Sequence, residues 1–193
     1  MLILFFLFWL ALKLPVVQNW LAQRATEYLS KELDTKITVE KVEIQLFNKA
    51  SFKNFYMEDK NRDTLIFASN AVGYFDISKI LKGKFYITAV DLNDAVLNYQ
   101  RLEGQKEYNI TTFMRYFMPK KKRNKTSTFQ LAINKISGKN IRFKLLDEVL
   151  GLRLDVLSPY TEIFSKNNNL AKQKAVVDSL FAEDTKINIS ILE

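Results

Sequence analysis

The chain has neither histidine nor cysteine. That removes thiol nucleophiles, disulfides, imidazole or thiolate metal sites and histidine acid–base catalysis together. Five glycines are too few and too scattered to spell a phosphate-cradling loop. Catalysis is left with carboxylates, such as Asp59 with Asp63 or Asp91 with Asp94. Paired acids need a particular separation in space. Asp59 and Asp63 fall in the polar turn Glu58 to Asp63, and Asp94 sits at a repeated bend, so structural roles are expected and no enzyme, cofactor or metal site is. Charge is the next chemistry on offer. A net charge of +8 suits an anionic partner such as nucleic acid or anionic lipid. Only one basic run is dense, Lys120 to Lys125, and no aromatic interleaves it to stack a base. A solvated loop is expected there, and no nucleic-acid partner.

What is abundant is apolar and aromatic surface, with fifteen Phe and eight Tyr mostly in strand-like runs. The stretch from Ser78 to Tyr99 shows how it is arranged. Asp76 suits a helix cap, Ile77, Ile80 and Leu81 give a short turn one apolar side, and Gly83 suits its end. Phe85, Ile87 and Ala89 then alternate as in a strand with one buried face. Leu92 breaks the parity, and Ala95, Leu97 and Tyr99 resume it, which predicts a bulge or tight bend. Forty-four positions on, Phe129, Leu131, Ile133, Ile136, Ile141, Phe143 and Leu145 repeat the pattern. Its core is an apolar residue, then Asn, Asp or Gly two later, then an apolar residue three after that. Leu92/Asp94/Leu97 and Ile136/Gly138/Ile141 are two copies, Phe52/Asn54/Met57 a third and Ala182/Asp184/Ile187 a fourth. Regular recurrence of this kind predicts repeated bent strands, with the middle residue suited to the bend rather than to catalysis.

Three segments must position these rungs. Residues 1–17 open with twelve uninterrupted apolar residues, among them Leu2, Phe5, Phe6, Phe8, Trp9 and Leu10. No basic start and no Ala-x-Ala site marks a cleaved signal peptide, so an uncleaved single transmembrane anchor is expected. Residues 18–34 continue from Pro15 and Val17 with Leu21, Ala25, Tyr28, Leu29 and Leu33 at helical spacing. Such an amphipathic helix lies at the membrane surface, with Trp20 at the interface, or caps the open end of a sheet; both roles are compatible. Residues 35–193 read as β-strands separated by polar turns, with one short helix over Ile110 to Met118 and a strand ending at Ser158-Pro159. The last strand, Ile187 onward, stops in mid-pattern, and repeat arrays need a terminal capping unit. The chain is therefore expected to be the amino-terminal piece of a longer protein.

The apolar run, then Pro15 to Leu33, then Thr35 to Ile44, closely resembles the start of the AsmA-like superfamily, nearest to its TamB (translocation and assembly module) family in Bacteroidetes-type form. Phe52-Lys-Asn-Phe-Tyr-Met-Glu-Asp59, Asp63 to Ile66, Leu81 to Phe85, Val90 with Leu92, and the turn from Gly104 to Asn109 fit as well. The resemblance covers most of residues 1–145. It implies a single-pass protein of the bacterial inner membrane, with its bulk in the periplasm as a β-taco, a folded-over sheet with an apolar groove. It further implies a part in outer-membrane protein assembly and secretion and in phospholipid transport between the two membranes. Implied cargo is phospholipid or unfolded outer-membrane protein, and the implied partner is an outer-membrane protein of the Omp85 type, reached through a region absent here. From the residues themselves, stacked rungs apolar on one face form a one-sided surface on which acyl chains could lie. The candidate lining is Phe85, Ile87, Leu97, Tyr99, Leu131, Ile133, Ile141 and Phe143. A closed β-sandwich core of a periplasmic protein-binding module is the alternative, and the sequence leaves both open.

Overall fold

In the computed structural model the described residues are 10, 14–45, 48–76, 85–117, 129–165 and 177–192. They form two helices, α1 (Pro15–Leu33) and α2 (Asn109–Phe117), and nine strands. The strands are β1 (Ile37–Thr38), β2 (Lys41–Gln45), β3 (Lys49–Glu58), β4 (Thr64–Phe75), β5 (Phe85–Arg101), β6 (Phe129–Asp147), β7 (Leu152–Phe164), β8 (Ser179–Glu183) and β9 (Lys186–Ile191). All nine belong to one mixed sheet in the order β1-β3-β4-β5-β6-β7-β8, with β2 also on β3 and β9 also on β7. Every pairing is antiparallel except β5 with β6, whose connection carries α2, as a parallel crossover requires. The protein is thus mainly β with a helix near its start. No helix among the described residues is long and apolar enough to cross a membrane. Of the expected anchor, Leu2, Phe5, Phe6, Phe8 and Trp9 lie outside the described residues, and Leu10 is exposed. The expected turn over Ile77 to Gly83, the basic run Lys120 to Lys125 and the polar turn Lys166 to Asn169 also lie outside them.

One line of irregularity crosses the whole sheet. Asn54 falls between the pairs Lys53–Asn70 and Phe55–Ala68, which puts it opposite Ser69. By the same reading Ser69 faces Asp94, Asp94 faces Asn140, and Asn140 faces Pro159. Beyond Pro159 lies Asp184, between β8 and β9. Asn54, Asp94, Asn140 and Asp184 have φ of 48°, 46°, 53° and 43°, the left-handed region that Asn and Asp tolerate best among residues with a Cβ. Each such residue breaks the pleat, so inward side chains stand three apart across it instead of two. Ala68 and Ala71, and likewise Leu92 and Ala95, therefore share one cluster. The sheet is creased along this line, and β1–β2 and β8–β9 are each the two halves of one strand folded over it.

Polar bonds hold the crease on its outer side. Asn54 donates its amide to Glu40, Ser69 Oγ donates to Asp94 Oδ2 at 2.9 Å, and Asn140 Nδ2 donates to Asp94 Oδ1 at 2.9 Å. The Asn140 bond, followed by the Ser69 bond, lowers the Asp94 pKa. On the inner side Ala68, Ala95 and Ile141 are buried together, and small side chains there leave room for the fold. The bend expected at Gly138 belongs instead to Asn140. Between Ile87–Leu131 and Ala89–Lys135 the parallel register advances two residues on β5 and four on β6, so a spacing of 44 becomes 46 before the crease is reached. The strand expected to end at Ser158-Pro159 runs on to Phe164. Proline lacks the ladder donor, and at the crease position no ladder pair is made, so its cost there is small.

Candidate functional site

Helix α1 begins with Pro15 at its first turn and ends at Asp34, whose φ of 51° turns the chain back toward β1. It lies along the β1–β2 edge and uses polar side chains there. Val42 N–H donates to Asn19 Oδ1 and Ile44 N–H to Gln18 Oε1, both at 3.2 Å. Ser30 Oγ accepts from Ile37 N–H at 2.9 Å and donates back to its carbonyl at 3.2 Å. Edge-strand groups that would otherwise be open to another chain are thereby covered. The face toward the sheet is rotated from the apolar stripe expected over residues 18–34: Gln18 is 7 % exposed and Tyr28 62 %. Of the two roles open to this helix, the sheet-capping one is seen.

Between α1 and the inner face of β1–β4 lies a groove of about 680 Å³. Leu21, Ala22, Ala25 and Leu29 line it from the helix, and Val42, Ile44, Phe52, Phe55 and Phe75 from the strands. Its uncharged polar members, Gln18 and Thr26, are already bonded. Gln18 holds Ile44 N–H, and Thr26 Oγ1 donates to the Ala22 and Gln23 carbonyls at 3.0 Å. At one end Leu29, Ile37 and Phe55 merge with the buried cluster of Leu33, Met57 and Leu65, onto which Ile110 and Phe113 of α2 also pack. That end is closed.

The same inner face continues beyond the helix. One register row runs Met57, Ile66, Leu97, Phe143, Val156, Ile187, and another runs Ala50, Gly73, Val90, Ile136, Ile163, Leu180. Met57 is 1 % exposed and Ile187 58 %; Ala50 is 6 % exposed and Leu180 62 %. The face is covered under α1 and open at β8–β9. Of the candidate lining residues, Leu97 and Phe143 are register partners on this face, with Ile141 and Tyr99 beside them. Tyr99 stacks on Tyr108 at 4.2 Å, and burial raises its pKa. Ile87 and Ile133 are half-buried on the far arms of β5 and β6. Phe85 and Leu131 are in the same two strands, and their side chains lie outside the described ones. None of the six whose side chains are described lines the groove under α1. Its lining was within reach of the sequence only as separate patterns, Leu21/Ala25/Leu29 on a helix and Phe52 in the third repeat copy, with nothing to say that they face one another.

The carboxylates hold structure together. Asp59 Oδ1 accepts from the Asn61 and Asp63 N–H groups at 2.8 and 3.1 Å, and its Oδ2 accepts from Gln100 and Asn109 side chains at 2.8 and 3.0 Å. Asp91 accepts from Tyr74 OH at 2.7 Å, and this bond raises the tyrosine pKa. Asp147, with none of its surface exposed, takes Arg101 Nε at 3.0 Å and Nη2 at 2.7 Å, Leu150 N–H at 3.0 Å and Tyr108 OH. The Arg101 bonds, ahead of the Tyr108 and Leu150 ones, outweigh desolvation and bring its pKa down to about 2. This cluster ties the ends of the parallel β5–β6 pair to the chain leading into α2. Among the described residues no three acidic side chains gather where they could hold a metal ion.

Compared with models of known protein families the chain matches none, and no curated protein matches it.

Proposed function

We propose that this chain is a membrane-anchored cell-envelope scaffold of the AsmA/TamB type. In this reading residues 1–17 anchor it in the bacterial inner membrane by a single pass, and the creased sheet stands in the periplasm as a β-taco. Its apolar inner face serves outer-membrane protein assembly and secretion and the movement of phospholipid between the two membranes, without catalysis, cofactor or nucleic acid. An Omp85-type partner belongs to this reading through the resemblance alone. The observation that carries the proposal is the inner face itself, apolar along whole register rows and graded from 1 % exposed at Met57 to 58 % at Ile187. An apolar face of this extent suits contact with hydrocarbon.

Fractionation of cells expressing the full chain tests the membrane half of the proposal. The chain is expected in the membrane pellet, retained through a high-salt wash and released by detergent. Release by salt alone would rule out an integral anchor, because salt screens surface charge and leaves hydrophobic insertion in place.

A further inference from the structure

We infer that the outer face of the sheet, opposite the apolar one, binds a phosphorylated sugar in a trough across β5, β6 and β7. The inference goes beyond the scaffold reading and does not depend on the membrane anchor. The trough has a volume of about 530 Å³, within the ~300–1,000 Å³ typical of small-molecule sites. Register fixes its facing. Leu97, Phe143 and Val156 form one row on the inner face, and side chains alternate along a strand. The next row, Asn98, Lys144 and Asp155, therefore points outward, as does the row of Gln100, Leu146 and Arg153. These two rows are the walls. Tyr99, Leu145 and Leu154 between them give the trough its backbone floor, since their side chains belong to the inner face, where Tyr99 stacks on Tyr108. Asp63 and Thr64 close the β5 end. Gln100 Nε2 donates to Asp63 Oδ2 at 3.1 Å, and Asn98 Nδ2 donates to the Thr64 carbonyl at 2.6 Å.

The two ends of the trough differ in chemistry. At the β6–β7 end Lys144 and Arg153 make no ion pair among the described residues. They are diagonal neighbours on adjacent strands, near enough for their long side chains to hold one anion between them. Arg142 and, on β9, Lys186 point to the same side. Against these four cations the outer face of this arm carries one acid, Asp155, and both its oxygens already accept from Arg142, at 3.0 and 2.6 Å. The β5 end offers acceptors instead. Asp63 gives one carboxylate oxygen to Gln100 and keeps the other open. Gln100 donates through Nε2 to Asp59 and Asp63, which leaves its side-chain carbonyl unused. Asn98 Oδ1 is buried in the same wall without a partner, and buried acceptors normally have a donor from protein, water or ligand. Gln100 and Arg153 stand two strand spacings apart, about 10 Å. A simple anion would leave the acceptors unmet, and a neutral sugar would leave the cations unmet. A phosphate at Lys144 and Arg153 with hydroxyls toward Asp63 and Gln100 meets both.

The test is equilibrium dialysis of radiolabelled glucose 1-phosphate against the full chain in nanodiscs of zwitterionic lipid, with empty nanodiscs as the blank. Unlabelled glucose 1-phosphate should displace the label about tenfold better than glucose, as two solvent-facing ion pairs together allow, and better than inorganic phosphate. Lys144→Gln combined with Arg153→Gln should erase the preference over glucose while the thermal unfolding midpoint holds. Asp63→Ala should weaken glucose 1-phosphate and leave inorganic phosphate as strong or stronger, because it removes a hydroxyl acceptor and a repelling charge together. Nanodiscs of phosphatidylinositol, titrated as competitor, separate the two sources of such a group. Stronger displacement than by glucose 1-phosphate assigns the site to a lipid head, and weaker displacement assigns it to a soluble sugar phosphate. No saturable binding above the blank, or binding unchanged in the folded Lys144→Gln, Arg153→Gln protein, would overturn the site. Equal displacement by glucose would overturn the phosphate end, and equal displacement by inorganic phosphate the sugar end.

Discussion

Ile141 folds back over Gly138 at the crease. A Cβ built at Gly138 would meet Ile141 Cγ1 at 2.4 Å and Cδ1 at 2.8 Å, closer than side-chain carbons approach, so Gly138→Ala must push Ile141 from its place against Ala68 and Ala95. Overpacking of this kind costs about 1–3 kcal/mol. Ile141→Ala removes both obstructing carbons and leaves only Cβ, 3.7 Å away, itself costing about 2–5 kcal/mol as a buried large-to-small change. In that background Gly138→Ala meets ordinary contacts and stiffens a strand residue, a gain of about 0.5–1 kcal/mol. The same substitution should therefore change sign between the two backgrounds, with a coupling of about 2 kcal/mol. Urea unfolding of the four proteins, followed by circular dichroism in one detergent, measures it. A Gly138→Ala cost that is equal with and without the Ile141 side chain would refute the packing argument for the crease.

Three further outcomes follow from the same contacts. Replacing Gln18 and Asn19 together by Ala removes the partners of the Ile44 and Val42 amides; each loss is worth about 1 kcal/mol, and hydrogen exchange should speed at those two amides while the β4–β5 ladder is unchanged. Asn140→Val should destabilise by about 1–2 kcal/mol more than Asn140→Gly, because φ of 53° suits glycine and penalises a β-branched side chain; thermal melts of the two variants decide it. Asp147 titrates in the folded chain at about 2, below the ~3.9 of an unfolded aspartate. Its contribution is then complete above pH ~4 and is lost as pH falls toward 2, and Asp147→Asn should flatten the pH dependence of unfolding in that window, read by urea titrations from pH 2.5 to 5.

The crease was legible because its cause is local. Asn54, Asp94 and Asp184 each interrupt a period-two apolar pattern with a residue that tolerates positive φ, and all three adopt it. The fourth position was misplaced to Gly138 because glycine advertises backbone freedom wherever it stands; here its use is steric, and Asn140 takes the bend. A two-residue insertion in β6 is invisible until strands are paired, since either spacing keeps apolar residues recurring. Pro159 read as a terminator because its missing donor matters only if its position in the ladder is used, and that depends on neighbours in β6 and β8. Gln18 lies off the apolar stripe of α1, yet the N–H of an edge strand is a polar partner that draws it toward the sheet. The groove under α1 lay beyond reach for a similar reason. A helix face and a strand face each announce that they will be covered, and neither says by what.

The most direct measurement places a photo-crosslinking amino acid in the full chain in living cells, at Phe52 in the groove, at Leu97 on the open face, and at Tyr28 on the solvent side of α1. Mass spectrometry of the adducts then identifies what each position touches. Lipid adducts at positions 52 and 97 and none at position 28 are the expected result. A folded, membrane-retained chain with no lipid adduct at position 52 or 97 would contradict the account.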